Sequence, residues 1–150
     1  YGNIWNSDGT GGYTAGETYL VNPSNKVTRL GFTLDRHHIN MPESGNNTVE
    51  YRGWAAYKCV LTKVKVYMAT VNTVGTYDLT VKKGATTLLN AASFNMNSLA
   101  ANTVTNLTLT GTTSDLNFNE NDVWTIAVAS NDAGFNGSGI YIDLCFEVVE

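Results

Sequence analysis

The sequence predicts an all-β domain: a two-sheet antiparallel β-sandwich, jelly-roll-like, of about eight strands, with an extended N-terminal arm. Three observations carry this expectation. Apolar residues fall on every second position in run after run, which is the period of a pleated strand. The runs recur at intervals of about 8 to 15 residues, broken by Gly- and Asn-rich stretches, and no amphipathic helical pattern interrupts them. Composition agrees: the 150 residues include 20 threonines and 18 asparagines. Threonine favours pleated surfaces, whereas asparagine favours turns and left-handed backbone.

The elements follow in order. Residues 1–16 are rich in Gly, Asn and aromatics with neither period, and read as the arm; residues 17–150 read as the sandwich. "TYLV" is a short strand ended by the turn "NPSN". "KVTRLGFTL" places Leu30, Phe32 and Leu34 on one face. "DRHHINMPESGNN" reads as irregular, and "TVEYRGWAAY" as a lead-in to the main body. In "YKCVLTKVKVYMAT", Val60, Val64, Val66 and Met68 share one parity and Lys63 and Lys65 the other.

"TYDLTVKK" repeats the alternation with Tyr77, Leu79 and Val81. "KKGATT" reads as a tight hairpin with Gly84 available for positive φ, and "TLLNAASF" as its return strand. "SFNMNSLAANTV" has room for one helical turn before the threonine-rich strand "VTNLTLT" and the longer turn region "GTTSDLNFNEND". "VWTIAVAS" puts Trp124, Ile126 and Val128 on one face, and Asn136-Gly137 is a turn dipeptide. The last run, "IYIDLCFEVV", puts Ile140, Ile142, Leu144, Phe146 and Val148 inward against Tyr141, Asp143 and Glu147. A final strand of this kind sits well in the middle of a sheet, where it exposes no edge. With only 2 prolines in the chain, most strands are free to be central.

Charge narrows the function classes. Charged residues make up 15% of the chain and the net charge is -4, without the basic face that a nucleic-acid binder carries. No apolar run approaches the roughly 20 residues of a membrane-spanning helix, and no charge block suggests a membrane patch. We therefore expect no nucleic-acid and no membrane partner. Tyr1 is not a natural start, so a removed leader is compatible with the sequence. Cys59 and Cys145 both lie in strand-like runs, as two buried thiols or as one bridge between neighbouring strands.

Chemistry-bearing patterns are weak. "DLNFNEND" opens as D-x-N-x-N, like a calcium loop, but Glu120 stands where glycine is required and Ile126 where the twelfth-position glutamate would be. Asp115, Asn117, Asn119 and Asp122 fit better as a turn bonded to its own backbone. His37 and His38 are adjacent, so on an extended segment they point apart and do not chelate one ion together. Gly137-Ser138-Gly139 is not a nucleophile elbow. Asp143 and Glu147, roughly 13 Å apart along one strand, suit neither glycosidase geometry and serve solubility. The matches to N-x-[ST] at Asn46, Asn106 and Asn136 are those chance supplies in so Asn- and Thr-rich a chain. No catalytic, cofactor or metal residues are assigned. The exposed-aromatic set Trp5, Tyr13, Tyr51, Trp54 and Tyr57, outside the regular strands, is the candidate docking group. It serves either to anchor a segment on a neighbouring subunit or as a sugar platform.

The stretches "YKCVLTKVKVYMATVNTVGTYDLTVKKGATTLL", "TVTNLTLTGTTSDLNFNENDVWTIAVAS" and "GIYIDLCFEVVE" together resemble the β-sandwich domains of tailed-bacteriophage virion proteins, of the capsid-decoration (cement) and head- or tail-fibre kinds. The resemblance covers roughly residues 51–150, and its outline is shared with tumour-necrosis-factor-like jelly rolls. It implies a non-catalytic virion structural protein on the exterior of the particle. It further implies a homotrimer whose N-terminal segment docks on the major capsid protein or another virion component. The alternative function on the same fold is a carbohydrate-binding or receptor-binding module that engages surface glycans.

Overall fold

The structure, a computed structural model, describes residues 19–21, 27–29, 33–41 and 48–149, with side chains from residue 37 onward. The chain divides into two units at Phe32/Thr33. In the first, β1 (Tyr19–Val21) pairs antiparallel with β2 (Val27–Arg29), Leu20 opposite Thr28. The predicted arm over 1–16, and with it Trp5 and Tyr13, lies outside the described residues.

The second unit is a sandwich of two antiparallel sheets. Its strands are β3 (Thr33–Met41), β4 (Thr48–Trp54), β5 (Cys59–Thr70), β6 (Tyr77–Lys83), β7 (Thr86–Thr87), β8 (Phe94–Asn95), β9 (Thr105–Leu107), β10 (Asn117–Phe118), β11 (Val123–Ser130) and β12 (Ser138–Val148). One sheet runs β10-β5-β12-β3 with β9 also on β5; the other runs β4-β11-β6-β7 with β8 also on β6. The first half of the unit pairs with the second half in reverse order: β3 with β12, β4 with β11, β5 with β9 and β10, β6 with β7 and β8. That long hairpin is rolled so that β12 also meets β5 and β11 also meets β6. This is jelly-roll winding. Of the eight expected strands, "TYLV" is β1 and "KVTRLGFTL" holds β2 and only the start of β3, and β4 is not among them; the sandwich itself has eight sheet positions, two of which are broken into short pieces. The final strand is central, as its sequence predicts.

One core fills the space between the sheets. Tyr77, Leu79 and Val81 of β6, Ile126 and Val128 of β11, and Ile140, Ile142 and Leu144 of β12 are all fully buried, as period 2 requires for one face of each strand. Gly84 takes φ +56 in the β6–β7 hairpin, and the anticipated helical turn is a 3-10 turn at Met96–Ser98.

Several expectations are corrected. The stretch 35–41, read as irregular, is most of β3, a strand held by pairing to β12 along its whole length, in which polar His37 takes the same parity as Ile39 and Met41 and so breaks the apolar alternation. The return strand 87–94 is only Thr86–Thr87, after which Leu88 and Leu89 are buried outside a ladder. Val60 does not share the face of Val64. Phe146 pairs with Leu61 while Cys145 pairs with Lys63, so Thr62 is the extra residue of a β-bulge. The bulge switches parity, burying Cys59 and Leu61 instead, and Thr62 Oγ1 donates to the Cys145 carbonyl at 3.1 Å. Cys59 and Cys145 are both buried thiols; Val148, not Cys145, lies opposite Cys59.

The asparagines explain how loops close with so little charge. Asn72, 1% exposed, donates through Nδ2 to the Val74 carbonyl at 2.6 Å and to Asn97 Oδ1 at 3.0 Å. Its Oδ1 accepts from the Asn136 backbone N–H at 3.1 Å. Asn136 Oδ1 accepts from Thr73 N–H, Asn131 Oδ1 from Thr76 N–H, and Asn97 Nδ2 donates to the Gly75 carbonyl. Neutral amides thereby satisfy exposed and partly buried loop backbone.

Among the described residues two buried side-chain polar atoms lack a hydrogen-bond partner, Trp124 Nε1 and the Tyr77 hydroxyl. Burial pushes the pKa of Tyr77 well above the ordinary phenol value. Removing an unsatisfied buried hydroxyl relieves a desolvation cost, so Tyr77→Phe is expected to stabilise the domain by about 1 kcal/mol at neutral pH. The unfolded phenol loses its proton near pH 10 while the folded one keeps it. The wild type's stability is therefore unaffected by this ionisation below about pH 10 and falls as pH rises further, whereas the phenylalanine variant does not titrate. Urea denaturation at neutral and alkaline pH should show Tyr77→Phe above wild type, with the gap widening on the alkaline side. A destabilised variant would mean that the hydroxyl is bonded.

Candidate functional site

Among the described residues strand β4 pairs with β11 alone, so no described strand lies along its other edge. Val49, Tyr51 and Gly53 stand opposite Val128, Ile126 and Trp124, all buried, so they take the core-facing parity. Glu50, Arg52 and Trp54 take the other. Arg52 Nε and Glu50 Oε1 form an ion pair on that outward face, the kind of charged guard that keeps an edge strand from sticking indiscriminately.

The docking group predicted from the sequence therefore splits. Tyr51, at 37% exposure, sits on the core side at the sandwich margin, whereas Trp54 is 65% exposed on the outer side. Val123, 47% exposed, is the register partner of Trp54, and Tyr57, 62% exposed, follows in the connection to β5. The sequence reading placed Tyr51 and Trp54 outside regular strands; both belong to β4. The strand escaped notice because glycine, rather than a third apolar residue, completes its inner face.

Gly53 is also what anchors the strip. A Cβ built there would lie 2.1 Å from the Trp124 ring, so the indole packs directly over the glycine backbone. Trp124 is 4% exposed, and its ring centroid lies 4.8 Å from that of His37 at a 53° tilt. The glycine lets β4 close onto β11, and closure presents Trp54 beside Val123.

A second cluster lies on the outer face of β3, β12 and β5. His38, Asp143 and Lys65 occupy one cross-strand row. His38 Nδ1 lies 2.5 Å from Asp143 Oδ1, the two side chains being 51% and 12% exposed. An ionised carboxylate only accepts, so Nδ1 carries the hydrogen. The imidazole stacks on Tyr141 with centroids 5.2 Å apart and 16° between planes. Tyr67 lies 5.9 Å from Tyr141 and donates its hydroxyl to Asn102 Oδ1 at 3.0 Å. These side chains, with Val104, line a shallow cavity of about 150 Å³. Geometrically the pair is a clasp between β3 and β12, a charge-assisted bond shielded by rings.

Sequence reasoning gave Asp143 a solubility role. It is 9% exposed because central β12 has neighbours on both sides whose long side chains lean over it. The shared outer parity of Tyr141 and Asp143 was the available signal, but it points to His38 only once β3 is recognised. His37 and His38 do point apart: His37 packs on Trp124 and Phe146, His38 on Tyr141.

The "DLNFNEND" region is divided between a 3-10 turn (Thr113–Leu116), β10 and a tight turn. In that turn Asp122 Oδ2 accepts from the Asn119 backbone N–H at 2.8 Å and Asn121 adopts φ +69, so the turn is held by its own side chain and backbone. Among the described residues no group of three or more His, Cys, Asp or Glu side chains is placed to hold a metal ion. Another concavity, of about 320 Å³, opens beside β8 and β9.

No protein-family model matches the chain, and it has no significant match among curated proteins or solved structures.

Proposed function

We propose that this chain is a non-catalytic virion structural protein, a jelly-roll module that decorates or cements a phage capsid or builds a fibre, on the exterior of the particle. The observation that carries the reading is the strip Trp54–Val123–Tyr57. Two large aromatics and a valine stand in solvent by the edge strand β4 and the chain that follows it; among the described residues Tyr51 and Val104 are the other large apolar side chains left exposed. Trp and Tyr dominate the centres of protein interfaces, and an apolar patch on a rigid edge marks a surface that a partner covers. The partner is a sister subunit of a homotrimer, while the N-terminal segment docks on the major capsid protein or another virion component. The threonine- and asparagine-rich exterior suits a particle surface.

The double variant Trp54→Ser with Tyr57→Ser tests this. Neither side chain is buried, so folding stability should stay within about 0.5 kcal/mol per site. The mass by light scattering is expected to fall from the assembled species to the single chain, with the β-sheet circular dichroism kept. A double variant that assembles like the wild type would remove the strip from the interface.

A further inference from the structure

We infer that the concavity beside β8 and β9 is a binding site for a neutral carbohydrate, a function separate from assembly and independent of it. The site lies at the sandwich edge where the sheets part: β8 pairs with β6 in one sheet and β9 with β5 in the other. Its volume of about 320 Å³ falls at the small end of ligand pockets, which run from roughly 300 to 1,000 Å³.

The lining is specific in kind. Asn90, Ser93, Thr105, Asn106 and Thr108 supply two amides and three hydroxyls, and Phe94 supplies a partly buried ring. Leu89 and Leu107, 4% and 8% exposed, form the apolar floor. No charged side chain lines the site. A sugar presents hydroxyls that both donate and accept, together with an apolar C–H face. Amides and hydroxyls around an aromatic and aliphatic floor match both features, and the absence of charge gives nothing to an anionic ligand.

These polar groups are also unengaged. Asn72, Asn97, Asn131 and Asn136 are all committed to holding loops. Within the described residues, no hydrogen bond to protein involves the side chains of Asn90, Ser93, Thr105, Asn106 or Thr108. Their backbone is nevertheless fixed: Asn90 N–H donates to the Thr108 carbonyl at 3.1 Å, Thr110 N–H donates to the Leu88 carbonyl at 2.9 Å, and Leu89 bridges Leu109. The walls are thus positioned before any ligand arrives, which lowers the ordering cost of binding.

The test is an amide-resolved NMR titration of the intact chain with glucose, galactose, mannose and N-acetylglucosamine, alongside glucose 6-phosphate and sialic acid. At least one neutral sugar should give saturable, millimolar shifts centred on residues 90–94 and 105–108. The affinity should weaken by about tenfold or more in Asn106→Ala and in Asn90→Ala, whose exposed positions leave the rest of the spectrum superimposable. Trp54→Ala should bind as wild type. The inference is overturned if no neutral sugar saturates, if the anionic sugars bind more tightly, or if the shifts centre on Trp54 and vanish in Trp54→Ala.

Discussion

Phe146→Ala is expected to cost about 3–5 kcal/mol. Phe146 is 1% exposed on the central strand of its sheet. It meets Phe118 edge-to-face at 5.2 Å and His37 edge-to-face at 5.8 Å, so one ring ties β10 and β3 to β12. Alanine there forfeits the transfer energy of the ring and leaves a cavity beside the bulge, a site that backbone pairing on both sides keeps from collapsing. A loss of that size is a large share of the roughly 5–15 kcal/mol that holds a domain of this kind together. Glu147→Ala, one residue on and exposed, should change stability by less than about 0.5 kcal/mol. Urea midpoints of the two variants check the contrast; equal midpoints would mean that the chain is not buried at Phe146.

Gly53→Ala is the second large effect, and it arises from added rather than removed atoms. The new methyl would sit 2.1 Å from one Trp124 ring carbon and 2.6 Å from another. The indole is hemmed in by the His37 ring at 4.8 Å and cannot swing away without leaving the core, so β4 must lift from β11. Overpacking of this kind costs about 1–3 kcal/mol, and here the upper end is expected because the obstructing atoms belong to a rigid ring. Tryptophan fluorescence should shift to the red as Trp124 becomes wetter, and amide exchange should accelerate along β4 before the rest of the sheet. Gly84→Ala is the control: nothing lies within 4 Å of a Cβ at Gly84, so only the cost of its φ of +56, about 1 kcal/mol, remains. If Gly53→Ala is no worse than Gly84→Ala and leaves β4 protected, the Trp124–Gly53 packing is wrong.

What the sequence reveals of this fold follows from where physical information is local. Strands β6, β11 and β12 are legible because their neighbours cover one face evenly and the alternation of Tyr77, Leu79 and Val81, or of Ile140, Ile142 and Leu144, survives in the text. Strand β5 is legible as a strand but misleading in phase, because a bulge at Thr62 is decided by pairing with Cys145 and Phe146, far along the chain. Strands β3 and β4 are hidden for different reasons. Strand β3 carries polar residues on both faces, His37 against the core and His38 outside, so its alternation does not show, and β4 owes its inner contact to a glycine.

The candidate sites are less legible still. His38 and Asp143 are 105 positions apart, and no local pattern joins them. The aromatic character of Trp54 and Tyr57 is plain in the sequence, but their separation from Tyr51 depends on strand parity. The polar groove depends on which asparagines the loops leave unengaged, a property of the folded network rather than of composition.

The most direct measurement on the central claim, that an edge-exposed aromatic strip makes this jelly roll an assembling module, is the absolute mass of the intact chain in solution. Multi-angle light scattering at micromolar concentration should give three times the 16.2 kDa of one chain. A particle of 16.2 kDa that stays monomeric as concentration is raised would contradict the account.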